Sequence, residues 1–155
     1  MRITDYLKEA CIDTALSGDS KAEVIQKLLD LIVRGDPEIN GREVLKDLDE
    51  REALASTAIG SSIAIPHARI DNLSEIKTAF GLLKDDPGFA SIDRKPVQLV
   101  FLILFPKKDV GLQLKFLART ARLLHDSTLR DDLLACTSAK AVMDTFRAYE
   151  EKHFH

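Results

Sequence analysis

The chain has no tryptophan, only two cysteines and an aromatic content of 6%. Cys11 and Cys136 share no CxxC spacing and sit beside apolar residues, which excludes a disulfide-dense scaffold. Buried reduced thiols are expected, rather than a redox or metal centre. Long apolar runs are also missing. The longest, residues 97–105, includes Gln98 and is far too short to span a bilayer. The opening MRITDYLKEA lacks the apolar core of a signal peptide, so a cytoplasmic protein with no membrane insertion is expected. An excess of one charge is lacking: 22 basic against 25 acidic residues leave a net charge of −3, which gives no reason to expect nucleic acid as a partner. Repeats, low-complexity tracts and Pro/Gly/Ser linkers are absent too. The 155 residues, 45% hydrophobic and 30% charged, therefore read as one globular domain, 1–155.

What is present is a clear succession of element signals. Ser20-Lys21-Ala22-Glu23 has the form of a capping box, and Val24, Ile25, Leu28, Leu29 and Ile32 follow at helical spacing until Gly35. Asn40, with Glu43 three residues on, opens a second helix over 41–54. Residues 56–65 are small or β-branched and broken by Gly60, which predicts two short strands or one bent strand. Residues 76–84 and 97–105 read as buried strands, and Pro106 ends the second. Leu112, Phe116, Leu117, Thr120, Leu123 and Leu124 then share one helical face. Residues 129–134 and 139–149 predict two more helices, the last capped by Ser138. Helices, then strands, then helices imply an α/β fold, a mixed β-sheet flanked by helices in a single domain.

Of the four histidines, His153 and His155 fall in a terminal segment expected to fray, and His125 sits near the C-terminal end of a helix, where the dipole favours a cation. His67 differs. It follows a short apolar segment and Pro66, which fixes the backbone before it, and it precedes the small Ala68 and the charged Arg69. A histidine so presented is placed to react, although a lone histidine at a strand end is more often structural. Gly60, Ser61 and Ser62 just upstream can offer N–H and hydroxyl donors to an anion, and Arg51 and Arg69 can supply the guanidinium fork that suits phosphate. Arg51 also has a plain reading as a solvated helix residue, and the serines as turn residues. No metal-ligand cluster is visible, and no Ser, Cys or metal partner stands at motif spacing for a hydrolase using His67 as a base.

The stretch REALASTAIGSSIAIPHARI resembles the signature of the enzyme IIA domains of the bacterial phosphoenolpyruvate:sugar phosphotransferase system, in the type 2 class of fructose, mannitol and nitrogen-regulatory members. SKAEVIQKLLDLI, IDRKPVQLVFLILFP and LKFLARTARLL resemble the same class, in the right order. The resemblance implies a phosphohistidine carrier in which His67 accepts a phosphoryl group from the phosphocarrier protein HPr. The group then passes to an enzyme IIB or serves as a signal to regulatory targets, with no cofactor. It also implies that Arg51 neutralises phosphate charge. Two positions depart from the family pattern. Ser61 stands where members often have glutamate or asparagine, and Gln113 where they have a second active-site histidine. Both keep a donor for the phosphoryl group, but neither brings a carboxylate or a titratable imidazole.

A chain with no attached sugar-specific domain or membrane segment favours the nitrogen-regulatory branch. A sugar-specific enzyme IIA feeding an enzyme IIB is the alternative. Ser61 and Gln113 motivate a third reading, a regulatory binding module with impaired transfer.

Overall fold

The run LVFLILFP places an apolar side chain at every position, the pattern of a strand buried on both faces rather than one facing water. In the computed structural model, which describes residues 1–153, this run is the centre of the molecule. Along the chain the elements are β1 (Ile12–Leu16), α1 (Lys21–Gly35), α2 (Gly41–Leu54), β2 (Ala58–Gly60), β3 (Ile63–Ala64), β4 (His67–Ile70), β5 (Lys77–Leu83), β6 (Leu99–Pro106), α3 (Val110–Leu124), α4 (Ser127–Leu134) and α5 (Ala139–His153). They build one mixed sheet in the order β1-β5-β6-β3-β2, with β4 pairing β6 beyond β3. β6 runs antiparallel to β5 and parallel to both β3 and β4.

Alternation along β6 divides the apolar side chains between two cores. Leu99, Phe101, Ile103 and Phe105 face α3, α4 and α5, where Phe116, Leu124, Leu133 and Phe146 are fully buried. Val100, Leu102 and Leu104 face α1 and α2, against Val24, Leu28 and Leu48. The result is three layers, helices over both faces of a sheet, as the element succession implies.

The helix signals act as expected. Ser20 Oγ accepts from the Glu23 N–H at 3.1 Å, while the Glu23 carboxylate reaches back to the Asp19 N–H at 2.9 Å. Asn40 caps α2 through the Glu43 N–H at 3.2 Å, and Ser138 accepts from the Ala141 N–H at 3.1 Å. Several boundaries differ. α3 begins at Val110 because Asp109 accepts from the Leu112 N–H. α5 continues to His153, whose ring stacks on Tyr149 rather than lying in a frayed tail. His155 lies outside the described residues. Residues 56–65 resolve into β2 and β3, and Pro106 is the last residue of β6, opposite Ile70.

β1 and β4 are additions to the expected elements. β1 carries Asp13 and Thr14 and pairs only with β5 at the sheet edge, so its sequence has no apolar alternation to reveal it. β4 is four residues long. Cys11 is buried, whereas Cys136 is only partly so, a correction to the expectation that both are sequestered.

β1 and β5 approach closely at Gly81: a Cβ there would lie 2.3 Å from Cδ2 of Leu16, a fully buried side chain. Gly81→Ala is expected to lower stability by about 1–3 kcal/mol through overpacking. Urea denaturation checks this, with a lower midpoint expected at unchanged slope.

Candidate active site

His67 is the first residue of β4 and lies opposite Ile103 of β6. Pro66 sits in the gap between β3 and β4, where its missing N–H costs the sheet nothing, and its carbonyl accepts from the Ile103 N–H at 3.0 Å. Ala68 and Ile70 turn into the core beneath α1 and α2. His67 therefore turns to the other face, edge-on to the Phe105 ring with centroids 6.3 Å apart.

Among the described residues, one imidazole nitrogen has a hydrogen-bond partner. Nδ1 lies 2.8 Å from the Ile65 carbonyl oxygen. A carbonyl can only accept, so Nδ1 carries the proton and the Nε2 lone pair is left for reaction. Burial pushes the His67 pKa below its ordinary 6.5, and the nearby Arg51 charge pushes the same way. The hydrogen bond to Ile65 and the Glu52 carboxylate oppose this without reversing it. The His67 imidazole is thus neutral near pH 7, with its lone pair on Nε2.

The imidazole opens into a cleft of about 720 Å³ walled by the last turns of α2, by β4 and by the first turn of α3. Arg51, Arg69 and Lys107 bring positive charge to it, Asp47 and Glu50 bring negative charge, and Gln113 adds an amide. A second cleft, about 230 Å³, is lined by Asp36, Glu38, Glu43, Asp47 and Asp71, a charge balance unsuited to an anion. Leu54, Val110 and Leu114 rim the His67 cleft and are 83%, 50% and 65% exposed.

The sequence candidates separate in space. His67, Arg51, Arg69 and Gln113 line the same cleft, while Ser61 and Ser62 do not. The two serines form the turn between β2 and β3, with φ of 54° and 65°, as a two-residue hairpin of the I′ kind requires. The Ser61 N–H is taken by Asp93 at 2.8 Å, and the Ser62 carbonyl accepts from Gln98 and Leu99. Arg51 donates to the Ala55 carbonyl at 3.0 Å, which holds the guanidinium at the end of α2. His125 is the C-cap of α3. Among the described residues no three His, Cys, Asp or Glu side chains gather to hold a metal ion.

One buried charged group escapes sequence inspection. Glu52, 8% exposed, is buried beside Arg51, paired with Lys21 at 3.1 Å and hydrogen-bonded to both the hydroxyl and the N–H of Thr57. Its signal is its neighbourhood: a carboxylate next to Arg51, followed five residues on by a threonine.

Comparison with known proteins gives a consistent picture. The family model for the phosphoenolpyruvate-dependent sugar phosphotransferase system, EIIA 2, matches residues 5–149. A nitrogen regulatory protein of Bradyrhizobium diazoefficiens is 38% identical over 142 residues, 92% of this chain and 92% of that protein. The fructose-specific EIIABC component of Bacillus subtilis is 30% identical over 152 residues, 97% of this chain but 24% of that longer protein. The crystal structure of the nitrogen regulatory protein IIA-Ntr from Neisseria meningitidis superposes with a TM-score of 0.85 at 28% identity, covering 93% of this chain and 98% of that one.

A lowered imidazole pKa means that the folded state holds the proton less well than the unfolded chain does. The stability His67 contributes is present in full above 6.5 and is lost as pH falls from there through the lowered folded value. An NMR titration of the His67 ring is expected to give a midpoint below 6.5. Arg51→Gln should move that midpoint upward by removing a repelling charge; an unchanged midpoint would mean that the guanidinium does not reach the imidazole.

Proposed function

This chain belongs to the EIIA 2 family of the phosphoenolpyruvate-dependent sugar phosphotransferase system, and from that membership we propose that it is a phosphohistidine carrier, loaded on Nε2 of His67. The observation that carries this reading is the single committed nitrogen. With Nδ1–H on the Ile65 carbonyl, only Nε2 offers a lone pair, and it does so in a half-buried site with cations around it.

In the proposed step the Nε2 lone pair attacks the phosphorus of a phosphorylated donor, HPr. A P–N bond forms as the donor's bond to phosphorus breaks, and its electron pair leaves with the donor. No proton need move, because Nδ1–H stays on Ile65, and that hydrogen bond strengthens as the ring gains positive character. Arg51, assisted by Arg69 and Lys107, offsets the charge on the equatorial oxygens, and the Gln113 amide supplies a neutral donor. The protein's contribution is position and electrostatics rather than covalent chemistry. Ser61 and Ser62 act here as turn formers that set the hairpin leading into Pro66 and His67. The exposed Leu54, Val110 and Leu114 give donor and acceptor proteins an apolar rim to dock on.

Residues 1–155 act as one such domain in this reading, in the cytoplasm, where its donor would be met. The regulatory branch is the better fit, since the nitrogen regulatory relative matches at 38% identity over nearly the whole of both chains. Phosphorylation then switches the protein's affinity for regulatory targets. A sugar-specific role, passing the group to an enzyme IIB, is supported by the weaker 30% identity to the fructose-specific component.

Incubation with phosphoenolpyruvate, enzyme I and HPr should label the protein with one phosphate, and His67→Ala should abolish the label. Arg51→Ala should slow labelling on the order of a hundredfold, the scale expected for removal of one charge-stabilising donor. Persistent labelling of His67→Ala would overturn the assignment.

A further inference from the structure

Glu52 is a buried carboxylate, and a buried carboxylate is costly unless it is paired and hydrogen-bonded. Here it is both. One oxygen pairs with Lys21 of α1 at 3.1 Å, the other accepts from the Thr57 hydroxyl, and the Thr57 N–H lies 3.4 Å from Oε2. Apolar packing often serves stability as well as a buried ion pair does, so stability alone is a weak reason for a charge here.

The hydrogen bonds continue beyond Thr57. Its carbonyl accepts from the Ile65 N–H at 3.0 Å, and the Ile65 carbonyl accepts from Nδ1–H of His67 at 2.8 Å. Thr57 and Ile65 are both 3% exposed, so water does not compete for these groups. The route therefore runs from Lys21 and Glu52 through Thr57 and Ile65 to the imidazole, side chain to side chain as far as the Thr57 hydroxyl and through the backbone of Thr57 and Ile65 beyond it. Glu52 also neighbours Arg51 on the last turn of α2, so the fixed carboxylate sets the turn from which the guanidinium reaches into the cleft.

We propose that Glu52 is a positioning residue: with Lys21 and Thr57 it fixes the Ile65 carbonyl, and through it the ring orientation and Nδ1–H tautomer that leave Nε2 of His67 free. This deepens the carrier reading and rests on it for its consequence. The charged groups lining the imidazole's cleft, Asp47, Glu50, Arg51, Arg69 and Lys107, all stand on other routes. None of them holds Ile65.

The test is ring-nitrogen NMR of His67 in the full chain, above the imidazole midpoint and with no phosphoryl donor present. Wild type should show a protonated Nδ1 and an unprotonated Nε2. Glu52→Gln, which keeps the side chain's shape but sets an amide against Lys21, and Thr57→Val, which removes only the hydroxyl, should both bring in the second tautomer. Both should slow labelling by HPr on the order of tenfold. Thr57→Ser, which keeps the hydroxyl, should retain the wild-type tautomer and rate. Folded Thr57→Val with a single Nδ1–H tautomer and labelling within twofold of wild type would overturn the proposal, whatever becomes of Glu52→Gln. Because the tautomer is read without phosphate, a wild-type protein that takes no label would refute the carrier reading and leave the positioning result standing on its own.

Discussion

Burial of β6 on both faces is the constraint from which the rest of the molecule follows. A strand apolar at every position must be covered on both sides, so α1 and α2 take one face and α3, α4 and α5 the other. Its two edges are claimed as well, one by β5 and the other by β3 and β4 in succession. Parallel pairing with β6 sets the register of β4, and that register puts His67 opposite Ile103 and beside Phe105. A four-residue strand could not hold a reactive side chain by its own propensity. It does so because a rigid, fully buried neighbour dictates where each of its residues lies.

The state of the imidazole then arises from a balance of polar terms in a half-apolar place. Burial depresses its proton affinity, so the ring stays uncharged, while the Ile65 carbonyl selects the tautomer. Arg51 serves twice in the proposed reaction: its charge helps keep the empty ring neutral, and the same charge would suit an arriving phosphoryl group. Gln113 contributes no charge and cannot titrate. The exposed leucines and valine of the rim leave apolar area beside the imidazole.

Much of this is legible in the sequence, and the exceptions have physical causes. Helix starts are written in local chemistry, so Ser20, Asn40 and Ser138 announce α1, α2 and α5 without reference to anything distant. β6 is legible as an unbroken apolar run, and His67 as a histidine held by Pro66 inside a family signature. β1 is not, because an edge strand half exposed to water can carry Asp13 and Thr14. The places of Ser61 and Ser62 are not legible either: glycine- and serine-rich segments serve anion loops and tight hairpins equally, and only the left-handed φ values and the Asp93 contact decide for the hairpin. Glu52 is hidden for a different reason. Its role depends on partners 31 residues before it and 5 after it, brought together only when α1 packs on α2.

In the proposed reaction one ring nitrogen of one histidine carries the phosphoryl group. Nitrogen-15-labelled protein, phosphorylated through HPr and studied by phosphorus–nitrogen correlation NMR, reads that bond directly. A phosphorus resonance coupled to Nε2 of His67, with Nδ1 still protonated, is the expected result. Coupling to Nδ1, or to a nitrogen of any other residue, would contradict it.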